Sequence, residues 1–251
     1  LTILIGVVLV QSSANMVNDY YDVKNGIDTM DIKRPSHVIL EGRLDSLVVL
    51  WAGRGILLFF LLISAIYSFY YRDWMVFLLA LIGISGAYFY TAPPLHLKYR
   101  GMGILTVFTL FGILLPLAVF YTFTGIFSLS VLWYSLPVAF LVTAILHGND
   151  LRDIEFDSGI LTIARNLGLK NGVFFYLFLI TAAYIIAVIS ILTGSISISG
   201  FLVFITLPLA IRNIYLCYTG ISGQDSNLIK LDDRTARLHM IFGLLWLIAL
   251  L

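Results

Sequence analysis

Long apolar blocks, separated by polar stretches of two alternating lengths, dominate the chain. A helix needs about 20 predominantly apolar residues to cross the hydrocarbon of a bilayer. Eight segments meet or approach that length, at about 1–17, 47–70, 74–91, 104–123, 129–148, 172–193, 197–217 and 236–251. Within them the apolar residues run on continuously instead of alternating with period two. This predicts helices and excludes a membrane barrel of roughly ten-residue strands. The expected fold is therefore an all-α, polytopic transmembrane helical bundle. Connections near Arg72, Thr124 and Gly194 are short, whereas those at 18–46, 92–103, 149–171 and 218–235 are long and polar. Because every second connection is long, all four long ones fall on one side.

Composition supports the same class: of 251 residues, 60% are hydrophobic and 12% charged, against roughly 25% charged in a soluble domain. The net charge of +1 gives no pointer to nucleic acid, and no such partner is expected. Distribution says more, since 12 of 15 Lys and Arg, 13 of 14 Asp and Glu, and all four His lie on the long-loop face. The Lys and Arg excess orients that face to the cytoplasm of a cell-membrane protein. Acidic residues do not follow that rule, so their concentration there needs another cause. The single cysteine, Cys217, lies in an apolar run and reads as an inert buried thiol. The opening run Leu1 to Val10 lacks a basic flank and a small-residue cleavage site, so it does not read as a signal peptide; a fragment starting inside a larger protein is expected.

Asn18-Asp19-Tyr20-Tyr21-Asp22 closes the first apolar segment and Asn149-Asp150-Leu151-Arg152-Asp153 the fifth. Four spans separate them, and an even number of crossings returns the chain to the same face in the same orientation. The pattern fits a single domain, 1–251, built of two four-helix repeats at about 1–128 and 129–251 around a central cavity. On a helix, Asn18 and Asp22 point the same way, as do Asn149, Asp153 and Asp157. Carboxylates crowded at a membrane interface repel one another and resist desolvation, which suits them to holding a cation. An oxygen-only donor set favours magnesium or calcium, and magnesium commonly bridges to phosphate oxygens. Two facing clusters would then grip a diphosphate and improve it as a leaving group.

Basic residues on the same face, Lys33, Arg34, Arg43, Lys98, Arg100 and Arg152, are candidate phosphate ligands. Each is equally open to a role as topology signal or snorkelling anchor. Tyr20, Tyr21, Tyr88 and Tyr90 are placed either to stabilise an allylic carbocation through their ring faces or to form an interfacial belt. The histidines at 37, 96, 147 and 239 are too scattered for a metal cluster; His147, just before the second motif, is the best placed as a general base. Arg54, inside the second apolar segment, has no assigned role.

At these residues the sequence resembles the UbiA superfamily of intramembrane prenyltransferases over nearly its whole length. Members carry N-D-x-x-D-x-x-x-D in one loop and D-x-x-x-D in another. Tyr90-Thr91-Ala92-Pro93-Pro94-Leu95 with Lys98-Tyr99-Arg100-Gly101-Met102-Gly103 resembles the family's connection between its third and fourth spans here. Asn149 to Asp157 followed by Leu167-Gly168, and Thr235-Ala236-Arg237-Leu238-His239, are similar to the menaquinone-biosynthesis branch. The resemblance implies nine helices, of which the first would be missing here, and a lateral opening. By position it implies metal and diphosphate ligands at Asn18, Asp22, Asp153 and Asp157; Asp19, Asn149 and Asp150 of the two motifs complete the candidate metal set, and Asp22, Asp153 and Asp157 are the candidate catalytic residues. The last acid of the first motif would fall at Gly26, so the loop must bend if Asp28 is to substitute.

The activity so implied is magnesium-dependent transfer of a polyprenyl group from its diphosphate to a hydrophobic acceptor, through an allylic carbocation. An aromatic acceptor such as 1,4-dihydroxy-2-naphthoate suits the branch; a glycerophosphate ether lipid or a tetrapyrrole is the alternative. A cation transporter with paired carboxylates is the rival of another class, but it would place acids within the spans and leave the basic loops unexplained.

Overall fold

A computed structural model describes residues 2–28, 38–154, 160–221 and 227–250. Lys33, Arg34, His37 and Asp157, singled out above, lie outside the described residues. The fold is 79% helical without strands among the described residues. Its elements are α1 (Thr2–Lys24), α2 (Ser46–Tyr71), α3 (Trp74–Phe89), α4 (Gly103–Val107), α5 (Leu115–Thr124), α6 (Val131–Arg152), α7 (Ile163–Leu192), α8 (Leu207–Gly220) and α9 (Leu231–Ile248). A π-helical stretch, Phe108–Leu114, joins α4 to α5, and a 3-10 stretch, Ile198–Thr206, leads into α8. Counting each fused run once, the helices follow the eight apolar segments. Five runs among the described residues are long and apolar enough to cross a membrane: Ser46–Tyr71, Gly103–Thr124, Val131–Arg152, Ile163–Leu192 and Ile198–Gly220. Trp74–Phe89 is a shorter apolar helix.

Two boundaries depart from the apolar pattern, and both departures are polar helical turns. α1 continues beyond its apolar run through the first motif to Lys24. α7 begins at Ile163, where the Thr162 hydroxyl accepts the Arg165 N–H at 3.1 Å and supplies the N-cap. Hydropathy misses such turns because they carry polar side chains: Asp22 is buried, whereas Asp19, Lys24, Arg165, Asn166 and Lys170 are exposed. Asp45 and Asp73 cap the starts of α2 and α3, accepting from Leu47 N at 2.8 Å and Met75 N at 3.1 Å.

α6 is the central helix, packing against α7, α9 and the π-helical stretch. Pro137 inside it has no N–H for the Trp133 carbonyl four residues back, and such an orphan is costly in a membrane. The neighbours take over: Ser190 Oγ donates to the Trp133 carbonyl at 3.1 Å and Trp246 Nε1 to the Tyr134 carbonyl at 2.8 Å. The π-helical stretch has an equally local cause. A Cβ on Gly112 would lie 2.6 Å from Ala139 Cβ, so only glycine lets α6 come this close, and Ser135 Oγ donates to the Gly112 carbonyl at 2.8 Å. Widened turns of this type leave a carbonyl for a neighbour to bond.

The buried apolar residues fall into two clusters. Val17, Tyr21, Leu50, Leu57 and Ala92 form the one among α1, α2 and the turn after α3. A larger one, including Leu141, Leu151, Tyr176, Leu238 and Trp246, is shared by α6, α7 and α9. Large apolar side chains such as Phe69, Leu192 and Ile205 are exposed on the outside, as a bilayer solvent permits.

Candidate active site

The first motif occupies the last turns of α1. Asn18 and Asp22, one helical turn apart, face the interior, while Asp19 is exposed. Asp22 is fully buried; its Oδ2 lies 2.6 Å from Lys98 Nζ, and its Oδ1 accepts the Tyr99 hydroxyl at 2.8 Å. The same ammonium donates to Asn18 Oδ1 at 3.4 Å, so two motif oxygens converge on one positive charge. Gly26 then adopts φ +69°, a left-handed helix end that glycine tolerates best. That turn brings the Ile27 and Asp28 N–H groups onto the Asp22 carbonyl, at 2.9 and 3.2 Å. Asp28 comes near enough to Tyr99 to act on its ionisation.

The 90–103 connection lies between the two motifs. Tyr90 and Lys98 line a small open recess with Gly101, Gly103, Asp150 and Thr162. Lys98 thus touches the first motif and shares the recess with Asp150 of the second. Tyr90 records both: burial, then the negative charge of Asp150, then that of Asp22, push its phenol well above the ordinary tyrosine range. Burial, the charge of Asp22 and the hydrogen bond to it raise Tyr99 likewise, against an opposing hydrogen bond with Asn25. A parallel bridge between Arg100 and Leu161, with Leu161 N–H on the Tyr99 carbonyl at 3.2 Å, pins this loop to the segment after the second motif. His96 braces it, its Nδ1 2.8 Å from the Thr91 carbonyl and its ring stacked on Tyr99.

The second motif, at the end of α6, is arranged differently. Here Asp150 faces the recess, and Arg152 holds the flanking positions. Its Nε and Nη2 reach the two carboxylate oxygens of Asp153 at 2.8 Å each, and Nη2 donates to Asn149 Oδ1 at 2.6 Å. Its Nη1 donates to Asp232 Oδ2 on α9. Arg152, read from sequence as a phosphate ligand, is thus engaged with three side chains of the protein. Among the described residues no three acidic, His or Cys side chains converge on a ready-made cation site. The carboxylates are present but held by Lys98 and Arg152.

Other sequence-marked residues stand further out. Arg43 pairs with Glu41 at 2.7 Å on the exposed loop before α2, and Arg100 is exposed. Lys24 Nζ lies over the rings of Tyr20 and Tyr21 at 5.7 and 5.9 Å, so side-chain cations already sit near these faces. Arg54 fills that role for Tyr88: its Nη2 donates to the hydroxyls of Tyr88 at 2.7 Å and Tyr21 at 3.2 Å, with its guanidinium 5.1 Å from the Trp51 ring centre. His147 is fully buried, its Nε2 2.8 Å from the Gly172 carbonyl and its ring edge-on to Phe175, so it joins α6 to α7 and does not open to the recess. Tyr99 and Asp232 carry contacts in the site to which sequence reasoning gave no role. Asp232 had one signal, its place among the acids of the long-loop face.

The sequence profile of the UbiA prenyltransferase family matches residues 1–249. The "UbiA prenyltransferase domain-containing protein 1" of Dictyostelium discoideum is 31% identical over 247 residues, covering 96% of this chain and 73% of that protein. The 1,4-dihydroxy-2-naphthoate octaprenyltransferase of Bacillus subtilis is 29% identical over 256 aligned positions, covering 100% of this chain and 80% of that one. Among solved structures, a UbiA homolog from Aeropyrum pernix K1 superposes with a TM-score of 0.70 at 17% identity, over 98% of this chain and 87% of that one. A digeranylgeranylglyceryl phosphate synthase does so with 0.64 at 19% identity, over 97% and 82%. At those identities the two structures speak for the fold.

Proposed function

Because this chain belongs to the UbiA prenyltransferase family and is an enzyme that transfers prenyl groups, we propose that it joins a polyprenyl diphosphate to an aromatic acceptor of the 1,4-dihydroxy-2-naphthoate type. The observation that carries this reading is the meeting of Asp22 and Asp150, one from each motif, on the Tyr90–Lys98 connection. The acceptor class follows the Bacillus relative. The long-loop face is cytoplasmic, as its Lys and Arg excess directs.

The donor set fits magnesium: Asn18 and Asp22 converge on a point that a cation, Lys98 Nζ, occupies, and the available ligands are oxygens. Asn18, Asp22 and Asp150 would hold one ion and Asp153 another, with Asp19, Asp28, Asn149 and Asp157 as further oxygen donors. Bound there, magnesium neutralises diphosphate charge and makes it a better leaving group. Lys98, released from Asp22, binds a diphosphate oxygen, and Lys33, Arg34, Arg43 and Arg100 of the long polar connections would supply further phosphate ligands. The isoprenoid tail lies along the apolar wall of the bundle. The C1–O bond breaks with its electron pair going to diphosphate, a ring carbon of the acceptor forms the new bond to C1, and that carbon gives its proton to the released diphosphate or to water while the C–H electron pair restores the aromatic ring. Tyr20, Tyr21, Tyr88 and Tyr90 line the path of the developing carbocation with ring faces. The transporter alternative falls with the family assignment.

The test incubates purified protein and magnesium with prenyl diphosphates of increasing length and a panel of naphthoate, benzoate and glycerophosphate acceptors. Product mass identifies both partners. A prenylated naphthoate, lost in Asp22→Ala and Asp153→Ala variants that stay folded, is expected. Turnover on the glycerophosphate alone, or full activity in either variant, overturns the assignment.

A further inference from the structure

Arg152 is one guanidinium between two carboxylates. Asp153, 5% exposed at its side chain, has both oxygens taken by the guanidinium fork and presents neither to a metal ion in this arrangement. Asp232, 18% exposed, accepts Nη1 through Oδ2. Its other oxygen, Oδ1, is buried and has no hydrogen-bond partner among the described residues. A buried carboxylate oxygen left without a donor is costly, and this one adjoins a guanidinium whose Nε and Nη2 are engaged with Asp153 and Asn149. The trio carries one positive and two negative formal charges, so an excess negative charge is enclosed beside the second motif. Asp232 stands in the first turn of α9, at the helix end whose dipole attracts negative charge.

We propose that Asp232 is a positioning residue: it supplies the second seat for Arg152, so that Asp153 can exchange the guanidinium for a divalent cation. Arg152 neutralises Asp153 and keeps its carboxylate from lying buried and unpaired. When a cation takes Asp153, the guanidinium turns its fork onto both oxygens of Asp232 and the charge stays paired. Without Asp232, leaving Asp153 would strand Arg152, and the cation would have to compete with a guanidinium that has nowhere else to go. The inference rests on the metal role proposed for Asp153, while the role of Asp232 is argued from its own contacts. Its neighbour Asp233 is exposed and provides a control of equal charge and nearly equal position.

The experiment measures Mn2+ binding by electron paramagnetic resonance to the purified full chain in nanodiscs, without substrates. Partners that hold a ligand in place typically change metal affinity about 10- to 100-fold. Asp232→Asn, which keeps the size and an acceptor oxygen but removes the charge, is expected to weaken Mn2+ binding by about that factor, with thermal unfolding confirming the fold. Asp232→Glu and Asp233→Asn should bind as the parent does. Combining Arg152→Gln with Asp232→Asn removes the competitor and restores affinity to near the parent's. Parent-like binding by Asp232→Asn, or no recovery in the double variant, overturns the proposal. Absence of saturable Mn2+ binding to the parent overturns the metal reading itself, and this inference with it.

Discussion

The Lys98–Asp22 pair makes the sharpest prediction, because its two ends sit in unequal surroundings. Asp22 is completely buried, whereas the Lys98 side chain retains 17% exposure. Lys98→Met takes the ammonium away from a buried carboxylate that keeps the Tyr99 hydroxyl, and removing one partner of a buried ion pair costs about 3–5 kcal/mol. Asp22→Asn strands the ammonium instead, but a long flexible lysine can carry its charge toward water. An asparagine oxygen can still accept from Tyr99, so the loss should be nearer 1–3 kcal/mol, the range for a charged hydrogen bond. The double variant removes both charges and should be more stable than Lys98→Met alone, giving a coupling of about 2 kcal/mol in a double-mutant cycle. Thermal unfolding of the four proteins in one detergent measures this, while product formation should be lost in all three variants. Additive losses, or a Lys98→Met protein as stable as the parent, would refute the claim that this pair bears a buried charge.

Three further outcomes follow from other parts of the fold. Gly112→Ala drives a methyl to 2.6 Å from Ala139 Cβ, so it should cost about 1–3 kcal/mol and be partly rescued by Ala139→Gly, as read from melting curves. Tyr90 and Tyr99 are both raised above the ordinary tyrosine value of about 10. Their neutral phenols therefore stabilise the fold fully below that pH, and the contribution is lost as pH climbs above it toward their folded values. In an alkaline titration followed at 295 nm, neither should ionise before unfolding; a smaller native-state step in Tyr99→Phe would contradict this. His147→Phe keeps the packing on Phe175 but loses the bond to the Gly172 carbonyl. It should lower stability by about 1–3 kcal/mol without removing a limb from the pH–rate profile; a vanished limb would make His147 a base.

How much of this was legible in the chain depends on what each feature answers to. Lipid imposes a simple solvent, so each helical run of the bundle appears as an apolar block. The polar turns at the end of α1 and the start of α7 escaped that reading because their side chains are not lipid-facing apolar groups but buried Asp22 and the exposed Asp19, Lys24, Arg165 and Asn166. Pro137 was visible, but its repair by Ser190 and Trp246 was not, since those donors lie 53 and 109 positions along the chain and meet it only through packing. The π-helical stretch depends in the same way on the contact of Gly112 with Ala139.

The site shows the same division more sharply. Spacing of four residues was enough to put Asn18 and Asp22 on one face, and the Lys98 ammonium between their oxygens is the physical expression of that spacing. Spacing alone would have given the second motif the same plan, with Asn149 and Asp153 turned inward. There the helix carries its own cation at position 152, within reach of both, and Arg152 claims them while Asp150 turns to the recess. One substitution in the pattern, arginine where the first motif has Tyr21, therefore reassigns which acid faces the cavity. It also explains why Asp232 could not be found from the motif. Its partner is the arginine, and arginine binds through a planar fork that reaches three side chains on two helices. A ligand ladder read from helical period takes the oxygens as free; in a folded protein each must first be neutralised, and the group that neutralises it decides when it becomes available.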